Sequence, residues 1–209
     1  MNQIKRNEIL NIFHHYQPYP KMELVFNSDF ELLVAVILSA RSTDLQVNHC
    51  TKKLYKIANN PKSILELGLV GLKSYIKNIG LFNKKSSYII NLCDILINRY
   101  NSKIPKNRKL LELLPGVGRK TANIILNTVF KKNLIAVDTH VFRVCNRTKF
   151  ATGKTVHIVE NKLNKYVLRS FKLNFHNWIV WHGRYVCQSR KIKCNICIIN
   201  QLCEFKKKL

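Results

Sequence analysis

The chain has 209 residues, of which 36 are Lys or Arg and 11 are Asp or Glu, so its formal net charge is +25. A hydrophobic content of 46% is enough for one large or two small domains and excludes a largely disordered chain. The positive charge favours a polyanionic partner, although a lysine-rich coding bias would also raise it. The charge alone does not distinguish DNA, RNA and an anionic membrane surface.

Neither a signal peptide nor a membrane span is predicted. Residues 1–6 continue into Asn7 and Glu8 rather than into an apolar segment, and the apolar run at 32–38 is far shorter than a span. We therefore expect a cytoplasmic protein. In such a reducing compartment its seven cysteines are expected to be thiols or metal ligands rather than disulfides.

Apolar residues recur at helical spacing through most of the chain, and the connections between these segments are short. Ser28 with Glu31, and Thr43 with Gln46, show the capping-box pattern at the start of two helices. Further helices are predicted at Ser86–Ile97, Leu110–Leu114, Arg119–Phe130, from Thr139, Val156–Leu168 and Phe175–Val186. Residues 133–137 resemble a short strand, but nothing near them alternates convincingly as a partner. The predicted fold class is all-α, with Cys50, Cys93 and Cys145 on apolar stripes as packing residues.

The stretch from Leu114 to Ala122 joins two predicted helices through a turn with two glycines. The first helix ends at Pro115, and glycines accept backbone angles that other residues resist. They also let a ligand approach the main chain, where the next helix presents N–H groups and the positive end of its dipole. We predict a phosphate-binding hairpin, although an ordinary tight turn between packed helices also uses glycine. Its DNA-contacting residues would be Gly116, Val117, Gly118 and Arg119.

These residues resemble the helix-hairpin-helix of the endonuclease III family of DNA glycosylases. The resemblance continues in Val-Asp-Thr-His-Val at 137–141, Phe-Arg-Val-Cys-Asn-Arg at 142–147, His-Gly-Arg at 182–184 and the C-terminal cysteines. It runs from Arg6 to Phe205, which is essentially the whole chain. It implies two helical lobes flanking a DNA-binding cleft. One lobe would comprise residues 22–132, and the other residues 1–21 with 133–209.

Lys120 lies in the first turn of the helix after the hairpin, beside Arg119. The helix dipole and the neighbouring cation both favour the neutral amine that a nucleophile needs, whereas DNA phosphates act the other way. A lysine that only contacts phosphate would have the same surroundings. The resemblance implies that Lys120 is catalytic. It also separates the chain from adenine glycosylases of the same superfamily, which usually lack this lysine.

Asp138 is one of only 11 acidic residues and follows an apolar segment, Ile135 to Val137. Its position just before a predicted helix equally suits an ordinary N-cap. The resemblance implies that Asp138 is the second catalytic residue. It would activate Lys120 or stabilise positive charge that develops on the sugar.

Four cysteines near the C-terminus, Cys187, Cys194, Cys197 and Cys203, follow the spacing C-x6-C-x2-C-x5-C. Four thiols so close together indicate a metal site rather than scattered buried cysteines. Zinc and an iron–sulfur cluster both accept four thiolates, and the residue types alone leave both open. The resemblance implies a [4Fe–4S] cluster.

Five further residues are predicted to contact DNA. Arg190, Lys191 and Lys193 lie between the first two of these cysteines, where a cluster would hold them for phosphate contact, although they also fit a generally basic surface. The resemblance implies that Arg41 and Leu81 enter the duplex where the base has left, with Leu81 as an apolar wedge. A buried loop position is the alternative for Leu81. The family commonly has glutamine where this chain has Arg41, which leaves the opposite-base preference open.

The function implied is that of a bifunctional DNA glycosylase and AP lyase of base excision repair, monomeric and without membrane contact. It would excise oxidised pyrimidines from double-stranded DNA and cleave the abasic site on the 3′ side by β-elimination through a lysine Schiff base. One alternative is a non-catalytic iron–sulfur protein for DNA binding or redox sensing. The other is a monofunctional mismatch or adenine glycosylase of the same superfamily.

Overall fold

Helices dominate the computed structural model, which describes residues 1–206. The ten α-helices of that range are α1 Gln3–Tyr16, α2 Asp29–Leu38, α3 Asp44–Leu54, α4 Pro61–Ile76, α5 Phe82–Tyr100, α6 Arg108–Glu112, α7 Arg119–Thr128, α8 Thr139–Arg147, α9 Val156–Tyr166 and α10 Lys172–Tyr185. Short 3₁₀ segments cover Arg169–Phe171 and Cys194–Ile196. The all-α prediction is confirmed. Residues 133–137 are irregular, and one isolated bridge pairs Cys187 with Ile192.

The two predicted capping boxes differ in the structure. At α3 both reciprocal bonds form between Thr43 and Gln46, as predicted. At α2 the Ser28 hydroxyl accepts from the Glu31 N–H at 3.1 Å, but the Glu31 carboxylate accepts from the Asn27 N–H at 2.6 Å. The second half of the box is therefore displaced by one residue, and the bond to Asn27 gives the buried Glu31 carboxylate, 3% exposed, a main-chain donor.

Helix α4 was missed by the sequence reading for a local reason. Gly68 has a φ of 71°, which breaks the helical geometry within Pro61–Ile76. Apolar residues off the buried face, such as Val70 with 83% exposure, also obscure the stripe that the buried residues of this segment form. Asn60 caps this helix through a reciprocal bond pair with Ser63, and Pro61 occupies its first turn.

The chain divides into two compact units. The first to be described spans Met22–Phe130 and contains α2 to α7. Every residue of α2 from Phe30 to Leu38 is buried, so this helix is apolar all round and forms the centre of the unit. The packing cysteines Cys50 and Cys93 are 4% and 0% exposed, as predicted. Burial raises the pKa of the Cys93 thiol to about 12.

The second unit combines Met1–Lys21 with Lys131–Leu209, of which residues up to 206 are described. Its core joins apolar residues of α1 to those of α8, α9 and α10 and to Cys187. Phe13 stacks on Trp178 with ring centroids 6.2 Å apart, and the indole N–H of Trp178 donates to the Gln17 carbonyl at 2.7 Å. Cys145 is fully buried here, as predicted. The N-terminal helix is thus part of the same core as the C-terminal loop.

None of the helices within residues 1–206 combines the length and the apolarity that crossing a lipid bilayer requires.

Candidate functional site

The glycine turn joins α6 to α7 through a chain of short-range backbone bonds. Asn107 caps α6, and the Val117 N–H donates to the Leu114 carbonyl at 3.1 Å. Leu114 and Val117 are 2% and 5% exposed, so their side chains anchor the turn in the unit while its backbone stays at the surface. The buried side chain of Val117 leaves only its main chain for the predicted contact with DNA.

The two glycines of the turn are required for different reasons. Gly116 has a φ of 78°, and a Cβ there would lie 3.2 Å from Tyr88 and 3.3 Å from Ile37. Gly118 has a φ of −94° and is the N-cap of α7, and a Cβ there would meet no atom within 4 Å. Gly116 is therefore needed for the fold, whereas nothing within its own unit requires glycine at position 118. A ligand that approached the main chain at position 118 would leave no room for a side chain there and would explain the glycine.

Lys120 is an exposed residue in the first turn of α7, and Arg119 beside it is half-buried. Since Gly118 carries no side chain, no side chain at the N-cap covers this helix end. The structure thus combines the positive end of a helix dipole, two cations and an accessible main chain in one stretch of four residues. Such a combination suits a phosphate or another anion.

Asp138 is the N-cap of α8 in the second unit, and its carboxylate accepts from the Val141 N–H at 2.8 Å. The apolar residues 135–137 that precede it are buried, which fixes the point at which the chain enters the helix. The side chain remains half-buried rather than enclosed. The N-cap interpretation is therefore correct, and it is compatible with a second role because one carboxylate accepts several hydrogen bonds.

Arg41 and Leu81 lie on neighbouring loops of the first unit. Both are exposed, and both have left-handed backbones, with φ values of 57° and 61°. The Gly80 N–H donates to the Ser42 hydroxyl at 3.0 Å, and a Cβ on Gly80 would lie 2.7 Å from the Arg41 carbonyl oxygen. The alternative of a buried Leu81 is wrong, since its side chain is 53% exposed.

Cations of the cysteine loop meet those of α8 and α10 around an open pocket of about 450 Å³. Its charged or titratable lining residues are His140, Arg143, Arg184, Arg190 and Lys191. Burial lowers the pKa of His140, and Arg143 and Arg184 act in the same direction, while the Asp138 charge opposes them. Lys193 is exposed but is not among the residues that line this pocket. The pocket has the charge of an anion site.

One arginine of α8 organises the start of the cysteine loop. Arg147 donates to the carbonyls of Gln188 at 2.6 Å and Ser189 at 3.2 Å, and to the sulfur of Cys187 at 3.4 Å. Arg143, one turn earlier, donates to the Gly183 carbonyl at 2.8 Å. Helix α8 therefore holds the loop through two guanidinium groups and leaves the cations at 190 and 191 on the outside.

The four C-terminal cysteines act on one another electrostatically. Burial raises the pKa of the Cys197 thiol to about 11, and the charges of Cys203, Cys187 and Cys194 act in the same direction, against a backbone hydrogen bond that lowers it. Within residues 1–206, no three His, Cys, Asp or Glu side chains are grouped so that they could hold a metal ion.

This donor set fits an iron–sulfur cluster. Four thiolates are the usual ligands of such a cluster, and Cys187, Cys194, Cys197 and Cys203 supply four thiols near enough for three of them to raise the pKa of the fourth. An Arg147 N–H donates to the Cys187 sulfur at 3.4 Å, and the His182 ring nitrogen Nε2 lies 3.8 Å from the Cys197 sulfur. Such N–H donors stabilise the negative charge of thiolate ligands.

Comparison with known proteins assigns the chain to a family. The sequence profile described as HhH-GPD superfamily base excision DNA repair protein matches residues 34–169. Endonuclease III of Buchnera aphidicola subsp. Acyrthosiphon pisum is 64% identical over all 209 residues and all of its own length. Endonuclease III of Escherichia coli K12 is 55% identical, with 100% of this chain and 99% of the relative covered. The chain belongs to the endonuclease III family of HhH-GPD base excision DNA repair proteins.

Solved structures agree with this assignment. A non-covalent endonuclease III–DNA complex superposes with a TM-score of 0.92 at 37% identity, covering 98% of this chain and 96% of that one. A trapped endonuclease III–DNA covalent intermediate gives 0.91 at 36% identity, with the same coverage. As an endonuclease III family member, the chain is a base excision repair enzyme, a DNA glycosylase with AP lyase activity.

Three cations beside the predicted site were not assigned roles from the sequence: Arg143, Arg147 and Arg184. Arg143 and Arg147 recur four residues apart on α8, a signal of one helical face. The sequence did not show that this face lies against the cysteine loop, because that contact joins segments about 40 residues apart.

The two hairpin glycines provide a test of ligand approach. Gly118→Ala should leave thermal stability almost unchanged, because the new methyl group meets nothing and the backbone angle is ordinary. It should weaken binding of a duplex with an abasic-site analogue by about tenfold or more, since the methyl group would occupy the space of a phosphate. Titration calorimetry or fluorescence anisotropy measures the affinity.

Gly116→Ala is the matched control and should reduce stability, the property that Gly118→Ala leaves almost unchanged. Its left-handed backbone and the close Tyr88 side chain predict a loss of about 1–2 kcal/mol of unfolding free energy. Equal DNA affinity for Gly118→Ala and the unsubstituted protein would contradict the phosphate-binding interpretation of the hairpin.

Proposed function

We propose that this enzyme acts on double-stranded DNA that carries an oxidised pyrimidine or an abasic site. Related endonuclease III structures contain DNA, in one case as a trapped covalent intermediate. The net charge of +25 and the pocket lined by Arg143, Arg184, Arg190 and Lys191 support binding to phosphates. The proposed preference for oxidised pyrimidines rests on the family resemblance.

The exposed position of Lys120 behind an open glycine hairpin is the observation that carries the residue-level proposal. Main-chain groups of residues 116–118 would bind a phosphate and so fix the register of the strand. Arg119 would add its charge to the same contact. The damaged nucleotide would turn out of the duplex, with Arg41 and Leu81 entering the gap. Arg41 brings a guanidinium near the opposite base, which predicts an effect on opposite-base preference.

Lys120 would be the nucleophile. Its neutral amine attacks C1′ of the deoxyribose as the glycosidic bond breaks, and the base leaves with a proton. Loss of the amine proton and opening of the sugar ring give a Schiff base between Lys120 and C1′. Removal of a proton from C2′ then breaks the C3′–O bond, and water finally releases the enzyme from the cleaved strand. Lys120 thus supplies both the glycosylase and the lyase step.

Asp138 would be the second member of the pair. Its carboxylate is held by the Val141 N–H at the N-terminus of α8, which restricts its orientation. It would either accept the proton of Lys120 or stabilise positive charge on the sugar. Both roles require a negative charge, whereas capping requires only an oxygen acceptor. The two functions of Asp138 are therefore separable by substitution.

Cys187, Cys194, Cys197 and Cys203 would hold a [4Fe–4S] cluster. Bound by four thiolates, the group would cross-link the loop and needs no part in base removal, which transfers no electrons. Arg147 and His182 would donate hydrogen bonds to two of the ligand sulfurs. The loop would then present Arg190, Lys191 and Lys193 to the phosphates of DNA.

We expect the enzyme to act as a monomer on chromosomal DNA in the cytoplasm, associated with the nucleoid. The high positive charge supports this placement, because such a chain binds DNA non-specifically between encounters with damage.

Borohydride trapping on abasic DNA tests the nucleophile. Reduction of the Schiff base should link the unsubstituted protein covalently to the oligonucleotide, and Lys120→Ala should abolish the link. Lys62→Ala is the control, because Lys62 is 83% exposed and paired only with Glu66 on the surface. Undiminished trapping in Lys120→Ala would overturn the assignment. Base release without any trapping by the unsubstituted protein would favour a monofunctional glycosylase, and neither activity would favour a DNA-binding or redox-sensing protein.

Asp138→Asn separates catalysis from capping. Asparagine is as good an N-cap as aspartate, so the unfolding free energy should change by only a few tenths of a kcal/mol, whereas Asp138→Ala should cost about 1 kcal/mol. Both variants should lose about two to four orders of magnitude in excision rate. Denaturant unfolding and single-turnover kinetics measure the two effects. Full activity of Asp138→Asn would exclude a catalytic role for the charge.

Metal analysis tests the cofactor. The purified protein should contain about four irons and about four acid-labile sulfides per chain and absorb visible light. Removal of the cluster by an oxidant should reduce DNA affinity more than it reduces the helical signal in circular dichroism. A colourless protein with one zinc and no sulfide would overturn the assignment.

A further inference from the structure

A buried lysine lies beneath the two loops that carry Arg41 and Leu81. Lys85, in the first turn of α5, is 4% exposed. Its ammonium group donates to the Leu38 carbonyl at 2.8 Å and to the Ala40 carbonyl. Among residues 1–206, none of the ion pairs includes Lys85. Burial lowers the pKa of Lys85 to about 8, and the two carbonyls offset part of the desolvation of its charged form.

The two acceptor carbonyls lie at the C-terminal end of the central helix. Leu38 is the last residue of α2, and Ala40 follows one residue after the C-cap Ser39. Carbonyls at such an end lack intrahelical donors and carry the negative end of the helix dipole. Because residues 30–38 are buried, water has little access to the Leu38 carbonyl. Lys85 therefore joins the start of α5 to the end of α2.

A second contact joins the same two loops directly. The Gly80 N–H donates to the Ser42 hydroxyl, and the missing side chain at position 80 lets the Arg41 carbonyl approach. The loops 39–43 and 79–81 thus share two independent ties, one through Lys85 and one through Ser42.

Each tied loop holds one exposed non-glycine residue in the left-handed region, Arg41 with φ 57° and Leu81 with φ 61°. Side chains with a Cβ disfavour this conformation, and it persists where surrounding bonds fix it. Backbone bonds hold each turn locally, from the Phe82 N–H to the Ile79 carbonyl at 3.1 Å and from the Ser42 N–H to the Ser39 carbonyl at 3.2 Å. The ties through Lys85 and Ser42 join the two turns to each other.

We propose that Lys85 is a positioning residue that locks loops 39–43 and 79–81 into one body, so that Arg41 and Leu81 reach DNA together. This inference rests on the proposed entry of those two side chains into the gap left by the flipped base. Lys85 is buried and acts only through the loops. Two separately mobile loops would have to be ordered at each encounter with DNA, whereas a locked pair is already in place.

Lys85→Met tests the lock in the free protein, because methionine keeps the length of the side chain and removes its donors. Amide hydrogen exchange at residues 40–42 and 80–82 should accelerate about 10- to 100-fold, as expected when hydrogen bonds from a charged donor are lost. Lys84→Met removes the same charge from the neighbouring exposed residue and should leave both loops unchanged. Lys85→Arg should restore most of the protection.

A readout on DNA tests the consequence. In single-turnover assays on a duplex with an oxidised pyrimidine, Lys85→Met should reduce excision about tenfold or more. It should leave borohydride trapping on a single-stranded abasic oligonucleotide unchanged, since no base stack has to be opened there. A 2-aminopurine opposite an abasic-site analogue should lose its fluorescence increase in Lys85→Met. If Lys85→Met does not fold, Ser42→Ala provides the test, because it removes the Gly80–Ser42 bond alone and should accelerate exchange about fivefold.

Unchanged exchange in both loops would overturn the proposal. Equal losses of excision and of single-stranded trapping would also overturn it, because they indicate general destabilisation. Faster exchange in the loops with unchanged excision would overturn it as well. Leu81→Ala distinguishes this failure from a failure of the proposed function. A normal aminopurine signal in Leu81→Ala would reject the entry of Leu81 into DNA, whatever the exchange data show for Lys85.

Discussion

Hydrogen bonds from cationic side chains to main-chain carbonyls are the interaction on which much of this structure depends. With 36 basic and 11 acidic residues, most cations have no carboxylate available. The internal ones use carbonyl oxygens instead: Lys85 on Leu38, Arg143 on Gly183 and Arg147 on Gln188. Lys162 and Lys172 do the same on Thr152 and Asn164, each at 2.7 Å. A bond from a charged donor is stronger than a neutral one, so the shortage of acids does not leave these cations without stabilisation.

This mode of stabilisation links the fold to the site. Arginines of α8 hold the cysteine loop, and Lys85 holds the loops of Arg41 and Leu81. The cations left at the surface, such as Arg190 and Lys191, are then available to phosphates. Internal positive charge orders loops, and external positive charge attracts DNA. One compositional bias therefore serves both purposes, and the free energy of repulsion among exposed cations falls when a polyanion binds.

The sequence predicted the helical class and most helices because apolar periodicity and local caps are short-range signals. Thr43 with Gln46 was predicted in full, whereas the Glu31 carboxylate bonds to the Asn27 N–H instead of the Ser28 N–H that the pattern predicts. Helix α4 was missed because Gly68 breaks its helical geometry and exposed apolar residues such as Val70 obscure its buried face. Prediction thus failed where tertiary packing or a single backbone angle outweighed the local pattern.

For the site, residue types and spacing predicted the hairpin and the four cysteines, while the family resemblance supplied the roles of Lys120 and Asp138. The capping bond of Asp138 was predictable from its place before a helix. The contributions of Lys85 and Arg147 were not, since their acceptors lie 47 and 41 residues away and leave no signal in the local sequence.

Hydrogen bonds from cationic side chains to main-chain carbonyls make the donor and acceptor positions differ in their tolerance of substitution. Every residue, proline included, offers a main-chain carbonyl oxygen, so substitutions at positions 38, 40, 183 and 188 keep the acceptor group itself. At position 183 packing limits the choice of residue, because a Cβ on Gly183 would lie 3.1 Å from His140 and 3.2 Å from Arg143. At the donor positions, Lys85, Arg143 and Arg147, the bonds require a long cationic side chain, so tolerance of substitution is lowest there.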